Sequence, residues 1–132
     1  MAEEAIDVIG AMYAAWNAGD WGEERMHPDL EWEIAGKGAI DQSGPAQGRD
    51  GLLAYWRRFW GAWQPGGRWE LDELRELDGG QILACGTLHA VGRSSGVESA
   101  TRVAHLWCVR DGVIVRLFAG DDRAQALEAA GR

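Results

Sequence analysis

Apolar side chains recur every three to four residues over 5–18, where Ile6, Ile9, Tyr13 and Trp16 form one stripe with Val8 and Met12 beside it. That period predicts an amphipathic helix, which Gly19 is placed to end. Asp20, with Glu23 three residues on, predicts a short second helix over 21–26, broken by His27-Pro28-Asp29. Leu30–Ile34 reads as a strand, and the Gly-, Ser- and Gln-rich stretch 36–48 reads as loop. A third helix is predicted over 50–63, with Leu52, Trp56, Phe59, Trp60 and Trp63 at helical spacings. Pro65-Gly66-Gly67 stops it.

Beyond Gly67 the period falls to two. Trp69–Leu77 predicts a strand with an irregularity, because Trp69 and Leu71 alternate while Leu74 and Leu77 do not. Turns at 78–80 and 92–96 bound the strands Gln81–Val91 and Val97–Val109. Asp111-Gly112 then predicts a two-residue hairpin turn in which both central residues take positive φ. The last strand runs from Val113 to about Asp121, and Asp122 with Gln125 opens a helix over 123–130 closed by Gly131. Helices followed by a meander predict one α+β domain over 1–132, with the helices packed on one face of a curved antiparallel sheet.

The hairpin also predicts a register. With Arg110 and Val113 flanking the turn, Cys108 pairs with Val115, Leu106 with Leu117, Ala104 with Ala119 and Arg102 with Asp121. Ile82, Ala84, Gly86 and Leu88 join that face from the preceding strand. Small side chains leave it incompletely filled, so it predicts an apolar cavity with an arginine–aspartate pair at one end. The opposite face carries Leu83, Cys85, Val103, His105, Trp107, Val109, Ile114 and Phe118. With no helix assigned to cover it, that face predicts a homodimer through the outer side of the sheet.

Charge and composition narrow the partners. A net charge of −8 excludes the basic stripe that nucleic acid or an anionic membrane selects. No apolar run approaches the length of a membrane span, and the opening MAEEAIDV is not a signal peptide. The chain therefore reads as a cytoplasmic protein. Cys85 and Cys108 are too few and too isolated for a disulfide framework or a metal site. No phosphate loop or nucleophile elbow occurs, so neither cofactor nor metal is expected.

Eight tryptophans in 132 residues predict broad aromatic walls. Tyr13, Trp16, Trp32, Tyr55, Trp56, Phe59 and Trp63, with Ala104, Leu106, Leu117 and Ala119, are the candidate lining for a small apolar or aromatic molecule. Asp121 is the candidate general acid/base, or else a structural ion pair or helix cap. Arg102 either holds a substrate oxygen or neutralises Asp121. His105 reads as an interface histidine on the outer face, His89 as structural, and His27 as a cap or surface residue. Glu31 and Glu33 share a solvated face of their strand, with Trp32 pointing inward.

The segments AAWNAGDW, HPDLEWE, GRDGLLAYW, SSGVES, VRDGVIVRLF and DRAQALEAAG, in that order, resemble the SnoaL-like branch of the nuclear transport factor 2-like superfamily. The resemblance implies a cystatin-like cone: a bent sheet around a pocket, helices closing its mouth, and frequent dimerisation through the sheet. Relatives include polyketide cyclases, ketosteroid isomerases, limonene-epoxide hydrolases, dehydratases and non-catalytic binders. The isomerase aspartates fall at Ile34 and Ala104, and its tyrosine falls near Met12, beside Tyr13. The hydrolase Asp-Arg-Asp set matches at Arg102 and Asp121, with Ala104 at the third place. The cyclase pattern, an aspartate ending the last strand and a histidine on its neighbour, matches at Asp121. His105 is close in sequence, but the register above turns it outward. The resemblance implies a cofactor-independent cyclase, isomerase or dehydratase acting on a hydrophobic carbonyl compound of polyketide or terpenoid type. The alternatives are a non-catalytic binding or dimerisation domain and an epoxide-hydrolase-like enzyme.

Overall fold

The computed structural model describes residues 4–35 and 46–131. The helices are α1 (Ala5–Asn17), α2 (Arg49–Trp60) and α3 (Arg123–Ala130). The strands are β1 (Met26–Ile34), β2 (Ala46–Gln47), β3 (Arg68–Glu76), β4 (Gln81–Val91), β5 (Glu98–Arg110) and β6 (Val113–Gly120). They form one sheet of order β2-β1-β6-β5-β4-β3. β1 runs parallel to β6 and the other neighbours are antiparallel, so the α+β fold is built on a mixed sheet.

Local chemistry accounts for the departures from the predicted bounds. The second helix is a single turn, Glu23–Arg25, because Gly22 takes φ +70° and its N–H donates to the Asp20 carboxylate. β1 begins at Met26 and carries Pro28 through a register shift between Met26 and Glu31. At a bulge the missing proline N–H costs no ladder bond. β2 falls inside the stretch read as loop, while residues 36–45 of that stretch lie outside the described residues. α2 stops at Trp60, and Trp63 pairs instead with Gly92 as an isolated bridge. The irregularity expected in β3 is a register shift between Leu71 and Glu73. Opposite it stands Gly86, where a Cβ would run into the Glu70 carbonyl oxygen.

The hairpin turn forms as predicted, with φ of 54° at Asp111 and 78° at Gly112, and Arg110 pairs with Val113. The register beyond it does not. Val109 pairs with Ile114, but Cys108 pairs with Arg116, leaving Val115 as an extra residue in β6. From there Trp107 faces Leu117, His105 faces Ala119 and Ala104 faces Gly120. Across β4, Ile82 pairs with Trp107, Ala84 with His105 and Gly86 with Val103. The faces assigned to β5 are therefore exchanged. Val103, His105, Trp107 and Val109 point inward with Ile82, Ala84, Leu117 and Ala119, whereas Ala104 and Leu106 point outward.

The inner face meets α1 and α2. Val8, Ile9, Met12, Leu52, Leu53, Ile82, Trp107, Ile114 and Leu117 are buried there. α3 lies on the outer face, burying Ala126 and Ala129 among Leu83, Cys85, Ala104, Leu106 and Phe118. The face expected to await a second copy thus already has a cover, which removes the premise from which the homodimer was inferred. Among the described residues, Val97 is the large apolar side chain left exposed. Among them too, no helix is long and apolar enough to cross a membrane.

Both ends of α3 are secured. Asp122 accepts from the Gln125 N–H at 2.9 Å, and the Gln125 side-chain oxygen accepts from the Asp121 N–H at 2.7 Å. At the other end, Arg116 donates to the Ala129 carbonyl and Gln81 to that of Ala130, each at 3.1 Å.

Candidate functional site

Between the inner face and α2 the protein encloses a cavity of about 140 Å³. An apolar cavity of roughly 150 Å³ accommodates a benzene ring, so this one has room for an aromatic ring. Trp16, Tyr55, Trp56, Phe59, Trp63, Leu117, Ala119 and Asp121, all named from the sequence, line it. Trp60, Trp69, Leu88, Thr101, Val103 and His105 line it as well. The indoles pack edge-on or tilted. Trp16 lies 4.7 Å from Trp56 and 5.0 Å from Trp69 between ring centroids. The side-chain amide of Asn17 clasps the Trp69 backbone in both directions, at 2.7 and 3.0 Å, fixing the end of α1 to β3.

Four of the expected lining residues lie elsewhere. Ala104 and Leu106 belong to the outer cluster under α3, as the bulge at Val115 dictates. Trp32 is buried against Tyr55 and donates its indole N–H to the Gly48 carbonyl at 2.9 Å. Tyr13 is buried behind the cavity wall rather than in it.

Arg102 borders the cavity from its strand, but its guanidinium does not meet Asp121. It binds the Asp72 carboxylate, at 2.6 Å, and Thr87, its neighbour across β4. The pairing is the physical reason: an even-numbered residue of β5 shares the outer face with Thr87. The pair is exposed, and it lowers the Asp72 pKa and raises that of Arg102 through their hydrogen bond. Neighbouring surface ions follow the same pattern. The hydrogen bond from His89 lowers the Glu70 pKa, and that from Arg123 lowers the Glu73 pKa.

The polar group that the sequence reading placed outside is the one brought in. His105 is 4 % exposed, and its Nδ1 lies 2.5 Å from the Tyr13 hydroxyl. That hydroxyl accepts from the Trp107 indole N–H at 3.0 Å. Burial holds the imidazole pKa down to about 4, so the ring is neutral at pH 7. Burial likewise pushes the Tyr13 phenol far above its ordinary value. The sequence around the hairpin carries no local signal for this orientation, because both faces of the sheet are apolar and Ile114, Leu117 and Phe118 fit either parity.

Asp121 and His105 therefore share one aromatic cavity. Continuing the register by one step sets Asp121 opposite Val103, diagonal to His105, a spacing of roughly 7–8 Å between backbones. A small molecule can lie between them. Such a site can exchange a proton at the carboxylate and engage a polar atom at the imidazole, in largely apolar surroundings. Among the described residues, no group of three His, Cys, Asp or Glu side chains is placed to hold a metal ion.

Similarity to known proteins follows the fold. The chain aligns over 96 % of its length with 96 % of a nuclear transport factor 2-like protein of unknown function from Burkholderia pseudomallei, with 21 % identity and a TM-score of 0.76. It aligns over 98 % of its length with the whole of IdmH from Streptomyces antibioticus, provisionally described as a polyketide cyclase (20 % identity, TM-score 0.77). TerC, crystallised with polyporic acid, shares 24 % identity over 97 % of this chain and 98 % of its own, with a TM-score of 0.73. No curated protein sequence matches. Residues 9–117 match the model of the SnoaL-like domain, and the chain belongs to that family.

Proposed function

We propose that this protein is a cofactor-independent acid/base enzyme of the cyclase, isomerase or dehydratase type, acting on a small hydrophobic carbonyl compound. The observation that carries this reading is the placement of Asp121 and His105 in one cavity walled by indoles. Asp121 moves a proton at the carbon beside the carbonyl, and His105 engages the carbonyl oxygen. IdmH and TerC support the substrate class, the first through its provisional description as a polyketide cyclase and the second through its ligand. Arg102 has no part in the step, because its guanidinium is held on the other side of the sheet. That placement also leaves the epoxide-hydrolase arrangement without its arginine.

The test is hydrogen exchange. Aromatic ketones are incubated with the protein in heavy water, and loss of the hydrogens beside the carbonyl is followed by NMR. Asp121→Asn is expected to slow exchange by about 10²–10⁴-fold, the range that a positioned acid/base supplies, with an unchanged melting temperature. Saturable quenching of tryptophan fluorescence by the same ketones, with no exchange over hours, would instead identify a non-catalytic binder.

A further inference from the structure

We propose that Tyr13 is a positioning residue that holds His105 in its Nε2–H form, so that the cavity presents a hydrogen-bond donor and takes a ligand with a carbonyl-type oxygen at that point. The proposal rests on the reading of this cavity as the ligand site and adds what the histidine does there.

The argument is an accounting of hydrogens. An indole N–H can only donate, and that of Trp107, wholly buried, donates to the Tyr13 oxygen. The phenol is itself 3 % exposed and keeps its proton, so its O–H needs an acceptor. Nδ1 of His105 is the acceptor within reach. Were Nδ1 protonated, it and Trp107 would both donate to the same oxygen. The phenol hydrogen would then be stranded among the rings of Trp16, Trp69 and Trp107. A neutral ring accepting at Nδ1 carries its hydrogen on Nε2.

Nε2 has no hydrogen-bond partner among the described residues. Yet no fully buried polar side-chain atom there is left unpaired. The atom is therefore accessible, and the open space that the ring borders is the cavity. The ring is held in place by its neighbours: it lies parallel to Tyr13 within 7° and perpendicular to Trp107. The imidazole so held is a donor, not a base, which leaves proton movement to Asp121. Ammonium and other groups without a lone pair find no partner at this point.

Nitrogen NMR of isotopically labelled protein at neutral pH reads the tautomer directly, with no ligand present. In the wild type, His105 is expected to show a protonated Nε2 and an unprotonated Nδ1, and in Tyr13→Phe a mixture of the two forms. A packing role for Tyr13 would leave the tautomer where it was. Should Tyr13→Phe fail to fold, Tyr13→Met, which also lacks the hydroxyl that donates to Nδ1, takes its place and is expected to give the same mixture. A wild-type Nδ1–H form, or a single Nε2–H form that survives in the folded variant, overturns the proposal. The ligand half is read from acetophenone against ethylbenzene. The ketone is expected to bind about fivefold more tightly to the wild type, the worth of one neutral hydrogen bond, and the preference to shrink in Tyr13→Phe. Equal affinity in the wild type overturns that half. Asp121→Asn, by contrast, tests the acid/base reading and leaves the tautomer pattern in place.

Discussion

On the inner face of the sheet, Trp16 meets Trp56, Trp69 and Trp107 with ring centroids 4.7–5.6 Å apart. On the outer face, Ala126 and Ala129 of α3 sit among Leu83, Cys85, Ala104, Leu106 and Phe118. Both faces are apolar and both are covered by helices, yet only the inner one encloses the cavity described above. The difference lies in the shape of the side chains. Rigid planar rings meeting edge-on or tilted fill a concave surface poorly, whereas the methyl groups of Ala126 and Ala129 let α3 lie close against the strands. Site and scaffold are thus separated by one layer of backbone.

Four expected outcomes probe that separation. The largest belongs to the inner face: Asp121→Asn removes about 3–5 kcal/mol of transition-state stabilisation, the equivalent of the loss in exchange rate given above. Its stability, followed by thermal unfolding, is expected to stay near that of the wild type. The second is a pH effect. An unfolded chain protonates His105 near 6.5, while the folded protein resists until about pH 4. Between those values the unfolded state binds more protons. The contribution is therefore complete above pH 6.5 and is lost as the pH falls towards 4, by at most about 3 kcal/mol. Urea titrations of wild type and His105→Phe over that range are expected to differ in slope, and parallel curves would contradict the burial of a neutral imidazole. Third, Ala129→Leu overpacks the outer face and is expected to cost about 1–3 kcal/mol without altering ketone affinity. The smallest effect is that of Arg102→Ala. Exposed ion pairs contribute little, so melting temperature and exchange rate are expected to match the wild type. A large loss of activity there would join the two faces again.

Most of the architecture was legible in the chain because its signals are local. The 3.6-residue stripes of α1 and α2, the Asp111-Gly112 turn and the Asp122/Gln125 cap each depend on residues within a few positions of one another. The aromatic lining was legible for the same reason, since Trp16, Tyr55, Trp56 and Phe59 follow from helical faces. What escaped is parity. One extra residue, Val115, reverses which side of β6 meets which side of β5, and every assignment beyond it reverses with it. That single slip sent His105 outward, brought Ala104 and Leu106 inward, and created an Arg102–Asp121 pair in place of Arg102–Asp72. A bulge is a compromise between strand pairing and burial on both faces. It therefore depends on the whole sheet rather than on the residues around it.

The cap of α3 has a consequence of its own. The Gln125 side chain grips the peptide N–H of Asp121, so the carboxylate in the cavity is held by a helix on the far side of the sheet. The C-terminal segment behaves as a latch. A chain cut after Asp122 would retain every side chain that lines the cavity and still lose the grip that aims one of them. Trimming the last turn and helix would also uncover Leu83, Leu106 and Phe118 on the outer face, so the aim of the carboxylate and the cover of the sheet depend on one segment.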